Sequence, residues 1–147
     1  MLEFSFHCDA AGFLKVALLG RSHPSADDYW DGNWVRAAVD VQAGGFHGSV
    51  GGDLRAEELA RFLEQLTGLQ KSLQGTAEFE TMEQWLSIRV VGDGRGHMAT
   101  RCIIRDQPGI GNTLECMLAT DQTFTQATVV ELAAVVQAYP VVGKPQD

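Results

Sequence analysis

The sequence predicts an α+β domain: an antiparallel sheet of about eight strands with two helices on one face, in the order ββββα-ββββα. Three observations carry that expectation. Apolar and polar residues alternate through Leu2, Phe4, Phe6 and Cys8 and through several later stretches, the period of a half-buried strand. The period lengthens to that of a helix twice, at Leu54 and near Thr123. The chain has 147 residues, 45% of them apolar and 20% charged, which suits one packed core and a single domain over 1–147.

The first strand takes Leu2 to Cys8. After the Ala11-Gly12 turn, Leu14, Val16 and Leu18 repeat the alternation, and Val35, Ala37, Val39 and Val41 repeat it beyond a long polar loop. Ala43-Gly44-Gly45 turns the chain into a weaker fourth strand through Phe46, Gly48 and Val50, where glycines indicate a bulge or a close neighbour. Leu59, Phe62, Leu63, Leu66 and Leu73 then share a helical face, with Asp53 at the N-cap position and Gly75 near the stop. Strands over 76–80 and 84–91 lead to a hairpin turn at Gly92-Asp93-Gly94-Arg95-Gly96. Met98, Thr100, Cys102 and Ile104 return, 108–112 form a loop, and Leu114, Cys116 and Leu118 make the last strand. Asp121 offers the cap of a closing helix whose inward face uses Val129, Leu132, Ala133 and Val136, and the tail beyond Pro140 is expected to be loosely held. The candidate caps Asp53 and Asp121 lie about 68 positions apart, so the chain reads as a pseudo-duplication.

Composition narrows the function classes. A net charge of -8 repels phosphate backbones, so no nucleic-acid partner is expected and a basic protein partner suits the chain better. No apolar run approaches the ~18 residues of a membrane-spanning helix. Met1 to Phe6 alternate and include Glu3, unlike an export signal, and the three cysteines sit in apolar runs without metal spacing. A cytoplasmic protein with reduced thiols is the expectation. The histidines show no metal spacing, Gly92 to Gly96 lack the phosphate-loop pattern, and Glu78, Glu80 and Glu83 read as surface. No catalytic constellation emerges, so neither enzymatic activity, nor a metal, nor a cofactor is expected.

The most unusual segment is Asp27-Asp28-Tyr29-Trp30-Asp31-Gly32-Asn33-Trp34, three acids and three aromatics packed into one loop. Aromatics beside polar groups serve as interface anchors, and they also tether loops to sheets; both readings are open here. With Tyr29 in the third position an EF-hand is excluded. If Val35, Ala37, Val39 and Val41 face the core, Trp34 and Arg36 begin on the wet face, where Trp85 would also lie beside Ser87 and Arg89. The candidate binding residues are therefore Asp28, Tyr29, Asp31, Asn33, Trp34, Arg36 and Trp85, with Trp30 anchoring the loop against the sheet edge.

The run Asp28-Tyr29-Trp30-Asp31-Gly32-Asn33-Trp34, an alternating strand and then Gly45-Phe46-x-Gly48 resembles WapI-type immunity proteins. The likeness extends more loosely through Gly96-His97 and Asp121-Gln122-Thr123, while Gly48 to Gly52 and Gly109-Ile110-Gly111 have no place in the family pattern. The resemblance implies a small cytoplasmic bacterial protein that binds and neutralises a cognate toxin domain, without catalysis of its own. The alternative is a small-ligand binder or hydrolase with a pocket near the Asp27 to Trp34 loop. Oligomeric state is not readable from the sequence.

Overall fold

A computed structural model of the chain describes residues 1–8 and 11–146. Four strands come first: β1 (Leu2–His7), β2 (Phe13–Arg21), β3 (Trp34–Ala43) and β4 (Phe46–Arg55), with a one-turn helix α1 (Tyr29–Gly32) between β2 and β3. Helix α2 (Ala56–Ser72) follows, then β5 (Gln74–Glu80), β6 (Leu86–Asp93), β7 (His97–Arg105), β8 (Thr113–Asp121) and helix α3 (Gln122–Ala138). The class and the doubled ββββα order are those the sequence predicts. The strands divide into two antiparallel meanders, β1-β2-β3-β4 and β5-β6-β7-β8, rather than one continuous sheet. The division has a local cause: the 17-residue helix α2 separates β4 from β5, whereas consecutive strands within each half are joined by turns or loops, the longest of them the 22–33 connection that carries α1, and pair directly.

The two inner faces and the helices build one core. Phe62 of α2 meets Phe4 and Phe6 of β1 at ring-centroid distances of 6.4 and 6.2 Å and Phe79 of β5 at 5.6 Å. The helix thus sits where the first strands of the two sheets converge. Its buried stripe is Leu59, Phe62, Leu66 and Leu69, with Leu63 and Leu73 half-buried at the margin. In α3 the buried face is Thr125, Thr128, Leu132 and Val135; Ala133 points to solvent, contrary to the face expected, and Val129 and Val136 are peripheral. Threonines face inward because Thr128 Oγ1 donates to the Ser5 carbonyl at 2.6 Å, fixing α3 against β1.

Asp121 caps α3 as expected, its carboxylate accepting from the Thr123 and Phe124 amides at 2.9 and 3.1 Å. Asp53 does not cap α2. It lies on β4, and the chain remains extended until Arg55, the N-cap residue, whose amide donates to Glu58 Oε1 at 2.8 Å. At the other end the helix stops on Leu73, in the left-handed region at φ 63°, with its amide donating to the Leu69 carbonyl. Gly75 lies beyond the stop, at the start of β5.

The glycines of β4 mark a close neighbour, the second of the two expectations raised for them. A Cβ at Gly48 would lie 2.7 Å from a Leu114 methyl, and one at Gly52 would lie 2.5 Å from Trp85 Cε2. These are the places where the second sheet touches the first.

Candidate partner-binding site

One turn of helix is too short to hold itself, because nucleation fixes several residues for very few hydrogen bonds. The backbone bond within α1 runs from the Gly32 amide to the Asp28 carbonyl at 2.9 Å, and the Asp28 side chain caps the turn by accepting from the Asp31 amide at 3.1 Å. The remaining carbonyls are satisfied from outside. Arg55 donates to Tyr29 O at 2.6 Å and to Trp30 O at 2.9 Å, and its Nε donates to Glu57 Oε2 at 2.7 Å. Arg21 donates to Gly32 O at 2.6 Å.

Arg55 is the centre of the assembly. Its side chain is 1% exposed, and its guanidinium lies 5.2, 5.5 and 4.7 Å from the ring centroids of Tyr29, Trp30 and Trp34. A buried cation persists where it is paired and its donors are used; here one carboxylate, two carbonyls and three aromatic faces meet that need. Glu57 also acts on the other side of the cage: the carboxylate beside the Tyr29 hydroxyl, more than burial, holds that phenol above its ordinary value.

Asn33 closes the motif from below. Fully buried, it donates to Tyr29 O and Val142 O and accepts from the Val142 amide, all at 2.9 Å, while its own carbonyl accepts from the Ala56 amide at 2.9 Å. Arg21 adds a bond to Pro140 O at 2.6 Å. The segment 140–142 is therefore pinned, not loose as the sequence suggested, because two side chains 109 and 119 positions away claim its main chain. Gly32 is required by the same contact, since a Cβ there would lie 2.7 Å from a Val142 methyl and 2.9 Å from Ala26 O.

The structure gathers Tyr29 and Trp34, with Trp30, around Arg55; Asp28 and Asp31 meet each other at the cap of α1, and Asn33 joins through Tyr29 O. Arg36 lies on the adjoining outer face of β3, exposed and 3.9 Å from Asp53. Trp85 is elsewhere. The expectation that it lies on the wet face is corrected: it is 1% exposed, because β6 begins at Leu86 and Gln84 takes a positive φ of 58° that breaks the alternation. Its indole turns inward across Gly52 and donates to Asp53 O at 2.8 Å. The other two tryptophans flank Arg55. The pleat of β3 is as expected, with Val35 buried and Trp34 on the outer side, yet Trp34 is half covered by Arg55. Trp30, expected to anchor the loop against the sheet edge, is 49% exposed. Its ring stands edge-on to Tyr29 at 4.9 Å.

Sequence reasoning missed Arg55, Arg21, Glu57 and Val142. All but Val142 bear charge, but none stands near the motif in sequence, and nothing local marks Arg55 as its partner. Glu58, on the first turn of α2, is buried to 8% exposure, and burial pushes its carboxyl up to about 7. Surface cavities of about 170 to 400 Å³ lie on the outer face of the second sheet and between the strand ends, and none of these is lined by residues 27–34. Among the described residues no three histidine, cysteine or acidic side chains are grouped to hold a metal ion, and no helix is long and apolar enough to cross a membrane.

The doubled ββββα fold carries an aromatic cage around Arg55 that presents one indole outward. The sequence pattern of the Immunity protein WapI-like family matches residues 6–140, and the chain belongs to that family. No curated protein matches it. Solved structures share the fold, two of them as follows. The Trypanosoma bruciei MRP1/MRP2 structure superposes with a TM-score of 0.51 at 15% identity, covering 93% of this chain and 83% of that one. The plant transcriptional regulator PBF-2 gives 0.55 at 11% identity, covering 94% and 81%. At these identities the likeness concerns the fold alone.

Proposed function

We propose that this chain is a non-enzymatic immunity module that neutralises a toxin by binding a basic face of it, with Trp30 as the anchor. Membership of an immunity-protein family supports the class of partner. The observation that carries the site is the state of Trp30: half exposed, yet held on both sides, since Arg55 grips its carbonyl and Tyr29 fixes its ring. An indole held rigid in the free protein loses little freedom on binding, which is what an interface hot spot requires. Exposed Asp27 and Asp31 and half-exposed Asp28 surround it with acid, on a chain of net charge -8. Steering by that field speeds association with a basic surface and weakens as salt rises.

Co-expression with a candidate toxin domain is the test. Trp30→Ala is expected to melt within a few degrees of wild type and to lose protection against the toxin, while Asp27→Lys with Asp31→Lys slows association chiefly at low salt. A Trp30→Ala variant that folds and protects as well as wild type refutes this site.

A further inference from the structure

A sheet edge left open is a template for another strand. Two of the edges here carry caps from the helices. On β1, Ser5 donates its amide to Glu131 Oε1 at 3.1 Å and its carbonyl accepts from Thr128 at 2.6 Å. On β5, the Glu78 amide donates to Gln65 Oε1 at 2.8 Å.

The outer edge of β4 differs. Strands β3 and β4 are joined by the two-residue turn Gly44-Gly45, with Gly44 at φ 59°. In such a hairpin the flanking residues, Ala43 and Phe46, exchange both main-chain bonds, so Phe46, Gly48, Val50, Gly52 and Leu54 face β3. His47, Ser49, Gly51, Asp53 and Arg55 then direct their amides and carbonyls outward. The groups nearest α2 confirm this direction, since the Arg55 amide reaches Glu58 and the Asp53 carbonyl accepts from Trp85. Among the described residues nothing hydrogen-bonds the outward main chain of His47, Ser49 or Gly51. The usual protections of an edge are missing as well: the register with β3 is unbroken over ten pairs, and neither proline nor lysine interrupts Phe46 to Asp53.

We propose that β4 is the interface with a second copy of this chain, the two strands pairing antiparallel about a two-fold axis beside Val50. In that register His47 stands opposite the partner's Asp53, and Ser49 opposite the partner's Gly51. His47, Ser49, Gly51 and Asp53 of each strand find an outward residue across the axis, the Asp53 carbonyl using its second lone pair beside the bond from Trp85, while Arg55 lies beyond the paired stretch. Slipping the pair by two residues in one direction sets His47 against the partner's Arg55; the other direction sets Asp53 against the partner's Gly45, in the turn. The charges on the outer face select the central register. Asp40 already holds His47 at 2.5 Å, and Arg36 lies 3.9 Å from Asp53. Pairing therefore completes a row of Asp40, His47, the partner's Asp53 and the partner's Arg36, repeated by symmetry. The Asp53 carboxylate accepts from Ser22 at 2.8 Å and retains acceptor capacity for the imidazole. Such a dimer joins two four-stranded sheets into one of eight, an isologous contact that closes on itself.

Sedimentation equilibrium of the full chain, wild type beside Ser49→Pro and His47→Asp, decides it. Wild type is expected to dimerise with concentration, and the Ser49 and Gly51 amides to exchange more slowly as the dimer fills. Ser49→Pro removes only an outward amide, a substitution that edge strands tolerate, and should leave a folded monomer. His47→Asp sets two carboxylates opposite each other and should raise the dimer Kd about tenfold or more. If Ser49→Pro fails to fold, the His47→Asp shift and the exchange data stand in its place. A wild-type chain that stays monomeric to about 0.5 mM, or a dimer unchanged by these substitutions, overturns the proposal.

Discussion

Replacing Arg55 by lysine tests whether a single fork of donors holds α1 in place. Lysine keeps the charge but not the planar geometry that serves Tyr29 O, Trp30 O and Glu57 together. The ammonium can reach one or two of those acceptors, so at least one of the three loses its buried donor, Tyr29 O being the one that keeps a second bond from Asn33. Each such loss costs about 1 to 3 kcal/mol, and the stacking of the guanidinium on Trp34, 4.7 Å from its centroid, is lost as well. We expect Arg55→Lys to lose about 2 to 4 kcal/mol. Arg55→Met, which also strands the Glu57 carboxylate at 17% exposure, should lose about 3 to 5 kcal/mol. Urea denaturation gives both values, and the near-ultraviolet circular dichroism of Tyr29, Trp30 and Trp34 reports the cage directly. Arg55→Lys melting within about 0.5 kcal/mol of wild type, with an unchanged aromatic spectrum, would refute the claim that the fork organises the motif.

Three further outcomes follow, from Glu58 and from two glycines. Glu58 has a folded value of about 7 against an ordinary 4.5, raised by burial. Its carboxyl therefore binds a proton more tightly in the folded chain, and the associated stability is fully present below pH 4.5 and is lost as pH rises toward 7, by about 3 kcal/mol in all. Glu58→Gln should remove this slope in denaturant midpoints measured from pH 4 to 8, and a flat wild-type profile would contradict the burial argument. Gly52→Ala places a methyl 2.5 Å from the Trp85 ring, which its bond to Asp53 O fixes, and should cost about 1 to 3 kcal/mol with a shift in tryptophan fluorescence. Gly68→Ala, on α2 with nothing within 4 Å of the added carbon, should instead stabilise the chain by about 0.5 to 1 kcal/mol; equal signs for the two would count against the close-approach reading.

Much of this architecture is written in local pattern. The period-two runs at Phe4, Val16, Val39, Val90 and Leu118 and the helical stripe of α2 follow from one rule, that each element must bury one face, and that rule needs only neighbouring residues. The Asp121 cap and the Gly92 to Gly96 turn are equally local, being set by side-chain oxygens and by glycines free to take positive φ. Tertiary structure decided the rest. Asp53 was passed over as a cap because β4 stays paired with β3 as far as Arg55, and Trp85 turned inward because Gly52 leaves room for its ring on another sheet. The aromatic motif shows the division most clearly. Its sequence marked Asp28 to Trp34 as important, but which tryptophan is presented and which is covered depends on a guanidinium at Arg55 and a tail at Val142. Such partners are chosen by the packing of distant segments, where burial makes every unpaired carbonyl costly, and no periodicity along the chain records that choice.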